Sequence, residues 1–407
     1  MKKLISLTLA LITLLLALAS CTPTQGTAPS ATPSAVPTET PTQSNNNSEQ
    51  FALGSSRYIY NSFVYYKTAK YSDFFNDTLK YVNLKNPNTK GVLLYNDTFG
   101  GEDPFNRVDD AYIMVDEDAT RDNGGMPILI IALTTNDTEN LQHLNFKIVR
   151  FDTATNKTST IFEDKKSSEY LDGACLVGDT IYFKKWTRND KMEYKYSYFS
   201  INKHGGEVQK YNFKLQTETE FLGYHKGKLY LKDIVSNTVI ATDLAFSSYE
   251  TLISYEFIGM QPYVSEGYLY YTDNPREIEK DGLKLKVGDI FRHSLEDFKN
   301  TETELVLENV AGAAGNGKYI IFGSADEAEL YAYATIVINN RPILRLYNIE
   351  TKENTIVSDK RNAPEGERHS GGLGCNNDYV WFTLEDETSC YVNIKTGEMS
   401  SFSHVEK

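Results

Sequence analysis

A short pattern recurs along the chain at intervals of roughly fifty residues. In each copy a turn residue leads into four or five apolar and aromatic positions, and a second strand that ends in an Asn/Asp-x-x-Thr-type turn follows. The clearest copies are 179–183, 227–231, 267–273, 317–322 and 378–382. A repeat of this length predicts an array of small β-sheets that cover one another's faces.

The hydrophobic pattern within the repeats indicates how these sheets are arranged. Residues 128–133 are apolar at every position, so both faces of that strand must be covered, whereas the later strands of each repeat are more polar. No stretch has a convincing 3.6-residue period with caps, which makes helix a minor component. We predict an all-β fold, a β-propeller of seven four-stranded blades, with counts of six and eight left open.

Two alternatives bear on this fold. A β-sandwich or a pair of barrels would need polar and apolar residues to alternate in every strand, which is not observed. The weak point of the blade count is 330–338, which is either an extra hairpin strand of the sixth blade or part of a miscounted blade.

The first residues of the chain have the layout of an export signal. Lys2 and Lys3 precede an apolar run over 4–18, which is too short for an ordinary membrane span. The run ends in Leu18-Ala19-Ser20-Cys21, which resembles the lipobox of bacterial lipoproteins. That resemblance implies cleavage by a signal peptidase and a diacylglyceryl group on Cys21. The alternative is an ordinary secreted protein in which Cys21 is accidental.

The sequence predicts three parts. Residues 1–21 form the lipoprotein signal peptide and lipobox, and 22–50 form a Pro/Thr/Ser-rich disordered linker without enough apolar residues to fold. Residues 51–407 contain every repeat and form the β-propeller domain. We therefore expect the domain to be held at the cell membrane, on its extracytoplasmic side.

Charge and cysteine content exclude some functions. The chain has 41 basic and 55 acidic residues, a net charge of -14, which argues against nucleic-acid binding. The 4 Cys include no Cys-x-x-Cys pair and the 6 His are scattered, so we predict no metal site and no cofactor. Cys175 and Cys375 lie in remote repeats, and we expect buried free thiols there.

One repeat is similar to a known propeller motif. The stretch Tyr268-Leu269-Tyr270-Tyr271-Thr272-Asp273 resembles the Tyr-Trp-Thr-Asp propellers of low-density-lipoprotein-receptor-like proteins, with Tyr271 in place of the usual Trp. More broadly, the seven copies resemble the TolB-type propeller lipoproteins of bacteria. The resemblance covers most of 58–403 and implies an architecture, not a ligand.

Loop lengths indicate where a binding site would lie. Turns between first and second strands are tight, whereas the longer connections 98–110, 134–143, 186–194, 274–287 and 358–371 would emerge on one common face. We predict that this face binds the partner of the protein. The candidate ligand-binding residues are Trp186, Arg188, Arg276, Arg361, Arg368 and His369.

The sequence contains no recognisable catalytic motif, so no catalytic residues are assigned. The acidic stretch 116–125 resembles the start of a calcium loop, but Arg121 stands where a Gly is required and Pro127 where a Glu is required. A solvated acidic turn is favoured there, and calcium binding near Asp116 and Asp122 is left open.

We therefore predict a lipid-anchored, extracytoplasmic, non-catalytic binding or scaffold module, acting as a monomer on a protein, peptide or glycan. The alternative is a cell-envelope enzyme, such as a glycan lyase or hydrolase, built on a propeller. Convergent carboxylates or His with perturbed pKa values in a closed pocket would favour the enzyme.

Overall fold

The structure is a computed structural model that describes residues 50–67, 69–70, 79–92, 107–136, 144–257, 259–280, 283–333, 337–403 and 405–406. Cys21 and the predicted signal and linker up to residue 49 lie outside these ranges. Within them the chain forms β-strands and one short helix, α1 (Glu117–Asp122). None of the helices found in these ranges is long and apolar enough to cross a membrane.

The strands in chain order are β1 (Phe51–Leu53), β2 (Arg57–Tyr60), β3 (Phe63–Lys67), β4 (Ala69–Lys70), β5 (Leu79–Asn83), β6 (Asn86–Val92), β7 (Arg107–Val115), β8 (Ile128–Asn136), β9 (Leu144–Asp152), β10 (Lys157–Ser167), β11 (Tyr170–Val177), β12 (Thr180–Arg188), β13 (Tyr194–Asn202), β14 (Gln209–Tyr211), β15 (Thr219–His225), β16 (Lys228–Asp233), β17 (Thr238–Asp243), β18 (Tyr249–Ser254), β19 (Tyr263–Ser265), β20 (Tyr268–Lys280), β21 (Leu283–Ser294), β22 (Glu304–Asn316), β23 (Tyr319–Ser324), β24 (Glu329–Tyr333), β25 (Val337–Arg341), β26 (Leu344–Asn348), β27 (Asn354–Ser358), β28 (His369–Cys375), β29 (Tyr379–Leu384), β30 (Thr388–Asn393), β31 (Met399–Ser403) and β32 (Val405–Glu406).

Within the described residues, these strands form six larger antiparallel sheets that follow one another along the chain. Sheet 1 is β2-β3-β5-β6, sheet 2 is β7-β8-β9-β10, sheet 3 is β11-β12-β13-β14 with β1 added beside β11, and sheet 4 is β15-β16-β17-β18. Sheet 5 is β19-β20-β21-β22-β23-β26-β27, and sheet 6 is β28-β29-β30-β31. Two small pairings complete the topology: the hairpin β24-β25 and the parallel pair β4-β32.

The sheets form a closed ring. Buried apolar clusters join each sheet to the next, and one further cluster joins sheet 6 to sheet 1 through Tyr379 and Tyr391 packed with Ile59 and Val64. The first strands of different sheets line one central cavity. Small sheets packed in a ring about a cavity are a β-propeller, so the predicted all-β propeller fold is confirmed.

The number of blades stays a prediction because sheet 5 is continuous. The first half of β22 pairs with β21 and its second half pairs with β23, so the fifth and sixth predicted repeats share one strand. A separate apolar cluster, including Ile290 and Ile320, lies between the two halves of this sheet. Of the ambiguous segment 330–338, the described residues 330–333 and 337–338 lie in the paired strands β24 and β25, which fall between β23 and β26.

Burial follows the order predicted for the repeats. In β8, Ile128 is 4% exposed and residues 129–133 are fully buried, because sheets 1 and 3 cover its two faces. The outer strands β18 and β31 instead alternate exposed and half-buried residues. Cys175, Cys375 and Cys390 are buried free thiols, as expected for the first two.

The recurrent Asn/Asp-x-x-Thr turns have a local cause. The side chains of Asp152, Asn348 and Asn393 each accept hydrogen bonds from the backbone N–H groups two and three residues further on. A short carboxylate or amide side chain can close such a turn without help from the rest of the protein. The turn therefore recurs wherever the motif does.

Candidate functional site

The antiparallel order gives the ring two unlike faces. Turns between first and second strands are tight in every larger sheet except sheet 2, where the connection contains α1, and Glu266 and Gly267 adopt φ values of 50° and 77° in one of the tight turns. We call this end the short-turn face. The connections between second and third strands, and those between sheets, emerge at the opposite end, which we call the long-loop face. Residues 98–106 and 137–143 of its predicted loops lie outside the described residues.

One of the predicted long loops consists largely of paired strands. The connection predicted as a loop over 274–287 is instead an extension of β20 and β21, which stay paired as far as Lys280 and Leu283. This corrects the prediction: alternation of Ile278, Leu285 and Val287 with charged residues is a strand pattern. Leu285 and Val287 pack with Ala325, next to the hairpin β24-β25.

The central cavity has a volume of about 900 Å³, within the range of ligand pockets. Its wall contains β15, β22 and β28, the segment around Leu53 and Ser55, and the connection before β19. Much of the wall is backbone, since Ala311 to Gly315 and Gly371 to Gly372 carry almost no side chain. Its polar side chains include Glu220, Gln261, His369, Ser370 and Glu385.

Trp186 and Arg188 lie at the long-loop end of β12. The Trp186 ring stacks on Tyr170 with centroids 4.4 Å apart and contacts Tyr194 edge-on at 5.4 Å. Tyr170 is 37% exposed and Tyr194 51% exposed, so the three rings form an accessible aromatic surface across β11, β12 and β13. Arg188 is exposed at the end of this surface.

Arg276 has a structural contact that the sequence did not predict. Its guanidinium Nη2 lies 2.7 Å from Oδ1 of Asp289, which is almost buried, and also contacts the Asn309 side chain. Burial by itself would raise the pKa of Asp289, but hydrogen bonds from Arg276, Asn274 and the Asn309 N–H lower it. Arg276 therefore holds the irregular start of the β20-β21 extension.

Arg361, Arg368 and His369 are brought together on the connection into sheet 6. Arg361 pairs with Asp359 at 2.8 Å, and Arg368 Nε donates to the Ala363 carbonyl at 2.9 Å. His369 Nδ1 lies 3.3 Å from the Pro342 carbonyl oxygen, and Nε2 lies 3.1 Å from Ser358 Oγ. Burial lowers the pKa of His369. Of the six predicted ligand-binding residues, His369 is the one that lines the central cavity.

Sequence reasoning missed a buried charge pair near the same face. Lys184 is 1% exposed, its Nζ lies 2.7 Å from Asp172 Oδ2, and it also donates to the Thr219 carbonyl. Burial lowers the pKa of Lys184 and raises that of Asp172. The sequence feature that could have indicated this pair is Lys184-Lys185, which interrupts an otherwise apolar strand. A charged residue buried in such a strand needs a buried partner.

The acidic stretch near Asp116 lies on the short-turn face and is a short helix, whose acidic residues Glu117, Asp118 and Asp122 are exposed as predicted. Residues 117–122 form α1, and Asp116 is its N-cap, accepting a hydrogen bond from the Ala119 N–H at 3.1 Å. Asp116 itself is fully buried and pairs with Lys203 at 3.1 Å, which corrects the predicted solvation for that one residue. In the described part of the chain no group of three or more His, Cys, Asp or Glu is placed to hold a metal ion.

Comparison with known proteins supports the fold and nothing finer. No protein-family model and no curated protein matches the chain. Among solved structures, a prolyl endopeptidase has a TM-score of 0.52 at 8% identity, covering 86% of this chain and 49% of that chain. The two share a fold.

Two other solved propellers are less similar. An oligogalacturonate lyase from Vibrio parahaemolyticus gives a TM-score of 0.46 at 10% identity, covering 87% of this chain and 96% of that chain. TolB from Acinetobacter baumannii gives 0.36 at 11% identity, covering 72% and 62%. At such identities neither an activity nor a ligand carries over to this propeller.

Proposed function

We propose that this propeller is a lipid-anchored binding or scaffold module outside the cytoplasmic membrane, which holds a protein, peptide or glycan at its long-loop face without catalysing a reaction. The central cavity carries the proposal. It measures about 900 Å³ and is walled by strands from several sheets of a rigid ring. Concave sites of that size on a rigid scaffold are where ligands are usually bound.

The position of Gln50 supports the anchoring part of the proposal. The Gly178 N–H donates to the Gln50 carbonyl at 2.8 Å, and Phe51 pairs with Val177 at the short-turn end of β11. The chain therefore enters the ring at its short-turn end, opposite the long-loop face, and the proposed linker and anchor precede that entry point in sequence.

Anchoring is tested in cells that express the full-length chain and are fed an alkyne analogue of palmitate. We expect the chain to be labelled and to sediment with membranes, and Cys21→Ala to be unlabelled. The matched control is Cys390→Ala, since that thiol is buried in the ring. Equal labelling of Cys21→Ala and the unchanged chain would contradict anchoring through Cys21.

Binding is tested by applying the full-length chain to peptide, protein and glycan arrays. We expect a ligand whose binding weakens in Trp186→Ala and His369→Ala. The control is His204→Ala, an exposed residue on the short-turn face. A ligand that responds to none of the long-loop variants would place the site elsewhere, and no ligand on any array would remove the proposed function.

The enzyme alternative is favoured by the Lys184–Asp172 pair. The pKa of Lys184 is lowered and that of Asp172 is raised, so both shifts favour the neutral form of the group, as in many general acids and bases. The test is turnover of acidic oligosaccharides, measured with Lys184→Met and Asp172→Asn. Turnover that both variants abolish, with melting temperatures retained, would support a glycan lyase or hydrolase; no turnover would leave the binding role.

A further inference from the structure

We propose that the cavity-side edge of β28, at Ser370 to Leu373, binds an extended apolar peptide as an added β-strand. This inference rests on the proposed function and names its ligand class. Strand addition satisfies the backbone groups of an open edge with those of a peptide, while side chains at alternate positions give specificity.

The chain already uses this mode on the inner strand of another sheet. β1 pairs antiparallel with β11 on the side away from β12, with Phe51 opposite Val177 and Leu53 opposite Cys175. The Gly54 N–H then donates to the Ala174 carbonyl at 2.9 Å. An extended segment of this protein therefore fits inside the ring, hydrogen-bonded to an inner strand.

A second inner strand is covered in a similar way. The Ala313 N–H, in β22, donates to the Gly259 carbonyl at 3.0 Å. A Cβ at Gly259 would lie 2.7 Å from the Cα of Gly312, so the covering segment is pressed directly against this strand. Inner edges of β11 and β22 are thus occupied by the chain's own backbone.

The corresponding edge of β28 is open. Among the described strands, β28 pairs only with β29, and His369 to Leu373 line the cavity. Gly371, with φ 131°, has no heavy atom within 4 Å of the position that a Cβ would occupy. The cavity next to Gly371 is therefore not filled by side chains, and the absence of a side chain there removes a steric obstacle to an approaching backbone.

The cavity wall selects the chemistry of the peptide. Leu53 and Phe257, which are 38% and 51% exposed, supply accessible apolar surface, and the buried Phe221 and Leu222 lie behind it. The carboxylates of Glu220 and Glu385 also line the wall, and Lys232 Nζ already donates to Glu220 at 3.0 Å. The wall therefore suits apolar, uncharged side chains, and it disfavours acidic peptides by like-charge repulsion.

The test selects binders to the full-length chain from a phage-displayed library of short random peptides. A selected peptide is then resynthesised with single N-methyl groups along its backbone, because N-methylation removes one hydrogen-bond donor at a time. Strand addition predicts losses of about tenfold at every second position and little change between them. Hydrogen exchange should show new protection at 370–373.

Two matched glycine variants complete the test. Gly371→Ala and Gly206→Ala both place a side chain at a positive φ, 131° and 122°, with no neighbour within 4 Å, but Gly206 lies outside the cavity wall. We expect Gly371→Ala alone to weaken peptide binding by about tenfold. If Gly371→Ala folds poorly, the N-methyl series and the hydrogen-exchange data on the unchanged protein still test strand addition at β28.

The outcomes separate this proposal from the one it rests on. Selected peptides that lack alternation in the N-methyl series, or that protect strands other than β28, overturn strand addition at β28 and leave peptide binding in place. Glycan binding on the arrays with no selected peptide overturns the ligand class alone. Absence of every ligand overturns both proposals.

Discussion

The Nζ atom of Lys203 lies 3.1 Å from Oδ1 of Asp116, joining sheet 3 to sheet 2 across 87 residues of sequence. Both side chains are almost completely removed from water, at 5% and 0% exposure. The same carboxylate caps α1, and Arg150 Nη1 lies 3.6 Å from its other oxygen. One buried carboxylate therefore stabilises both a helix start and a junction between blades.

Replacing Asp116 by Ala should reduce the free energy of unfolding by about 1.5–3 kcal/mol, since it removes the helix cap and one of the two carboxylates that pair with Lys203, which keeps Asp179 at 2.9 Å. Asp116→Asn should lose less, because an amide oxygen still caps the helix. The measurement is urea unfolding of the full-length chain. Asp118→Ala, a change within the same helix at a side chain that is 55% exposed, should cost under about 1 kcal/mol. An equal cost for Asp116→Ala and Asp118→Ala would contradict this interpretation.

His369 should make stability depend on pH. Burial lowers the pKa of His369 in the folded protein below its ordinary value of 6.5, against a smaller opposing effect of the Pro342 carbonyl. Between the two values the unfolded chain binds more protons, so stability is lost as pH falls through 6.5 towards the folded pKa. Urea unfolding between about pH 7.5 and 5.5 should show a flatter profile for His369→Gln. His204→Gln, at an exposed position, should keep the wild-type slope.

Gly374 leaves room for Trp381 across the β28-β29 pair. A Cβ at Gly374 would lie 2.2 Å from Cε2 of Trp381, so Gly374→Ala should cost about 1–3 kcal/mol of unfolding free energy. The cost should shrink when Trp381→Leu is combined with it, a coupling that a double-mutant cycle measures. Gly312→Ala is the control, because its nearest neighbour would be 3.9 Å away. Additive effects of Gly374→Ala and Trp381→Leu would show that the contact with the Trp381 ring does not cause the cost of Gly374→Ala.

Trp186 should report ligand binding at the long-loop face. The chain has 2 Trp, and Trp381→Phe leaves Trp186 alone, stacked on Tyr170. A ligand that covers these rings should shift or quench the emission of Trp186 as it is titrated. The reciprocal variant, Trp186→Phe, retains only Trp381, which packs between sheets 6 and 1 and should respond little. A ligand that changes only the Trp381 emission would move the site away from the long-loop face.

Much of the fold could be predicted from the sequence because its signals are local. The fully buried positions of β8 follow from a run of consecutive apolar residues, and the turn at Asp152 closes with its own side chain. The blade count could not be completed in the same way. Sheet 5 is continuous because the first half of β22 pairs with β21 and its second half with β23. No local sequence pattern marks a strand that is shared in this way by two repeats.

The candidate site was predictable only in outline. Loop lengths marked the long connection between β20 and β21 but not its structure as a paired extension of both strands, whereas the extra strand pair between β23 and β26 was one of two interpretations left open for 330–338. His369 lines the cavity, whereas Arg276 and Arg361 are held by Asp289 and Asp359. Whether a surface arginine is free or paired depends on side chains that the sequence does not place.

The amino-acid sequence by itself determined the repeated strands, their tight turns and the gradient of burial, since these depend on periods of two residues and on hydrogen bonds inside single turns. Tertiary structure alone decided where β1 lies, which partners Lys184 and Lys203 find, and that β28 pairs on one side only among the described strands. Those features arise when sheets distant in sequence meet around a ring, and the contacts formed there have no signature in any one repeat.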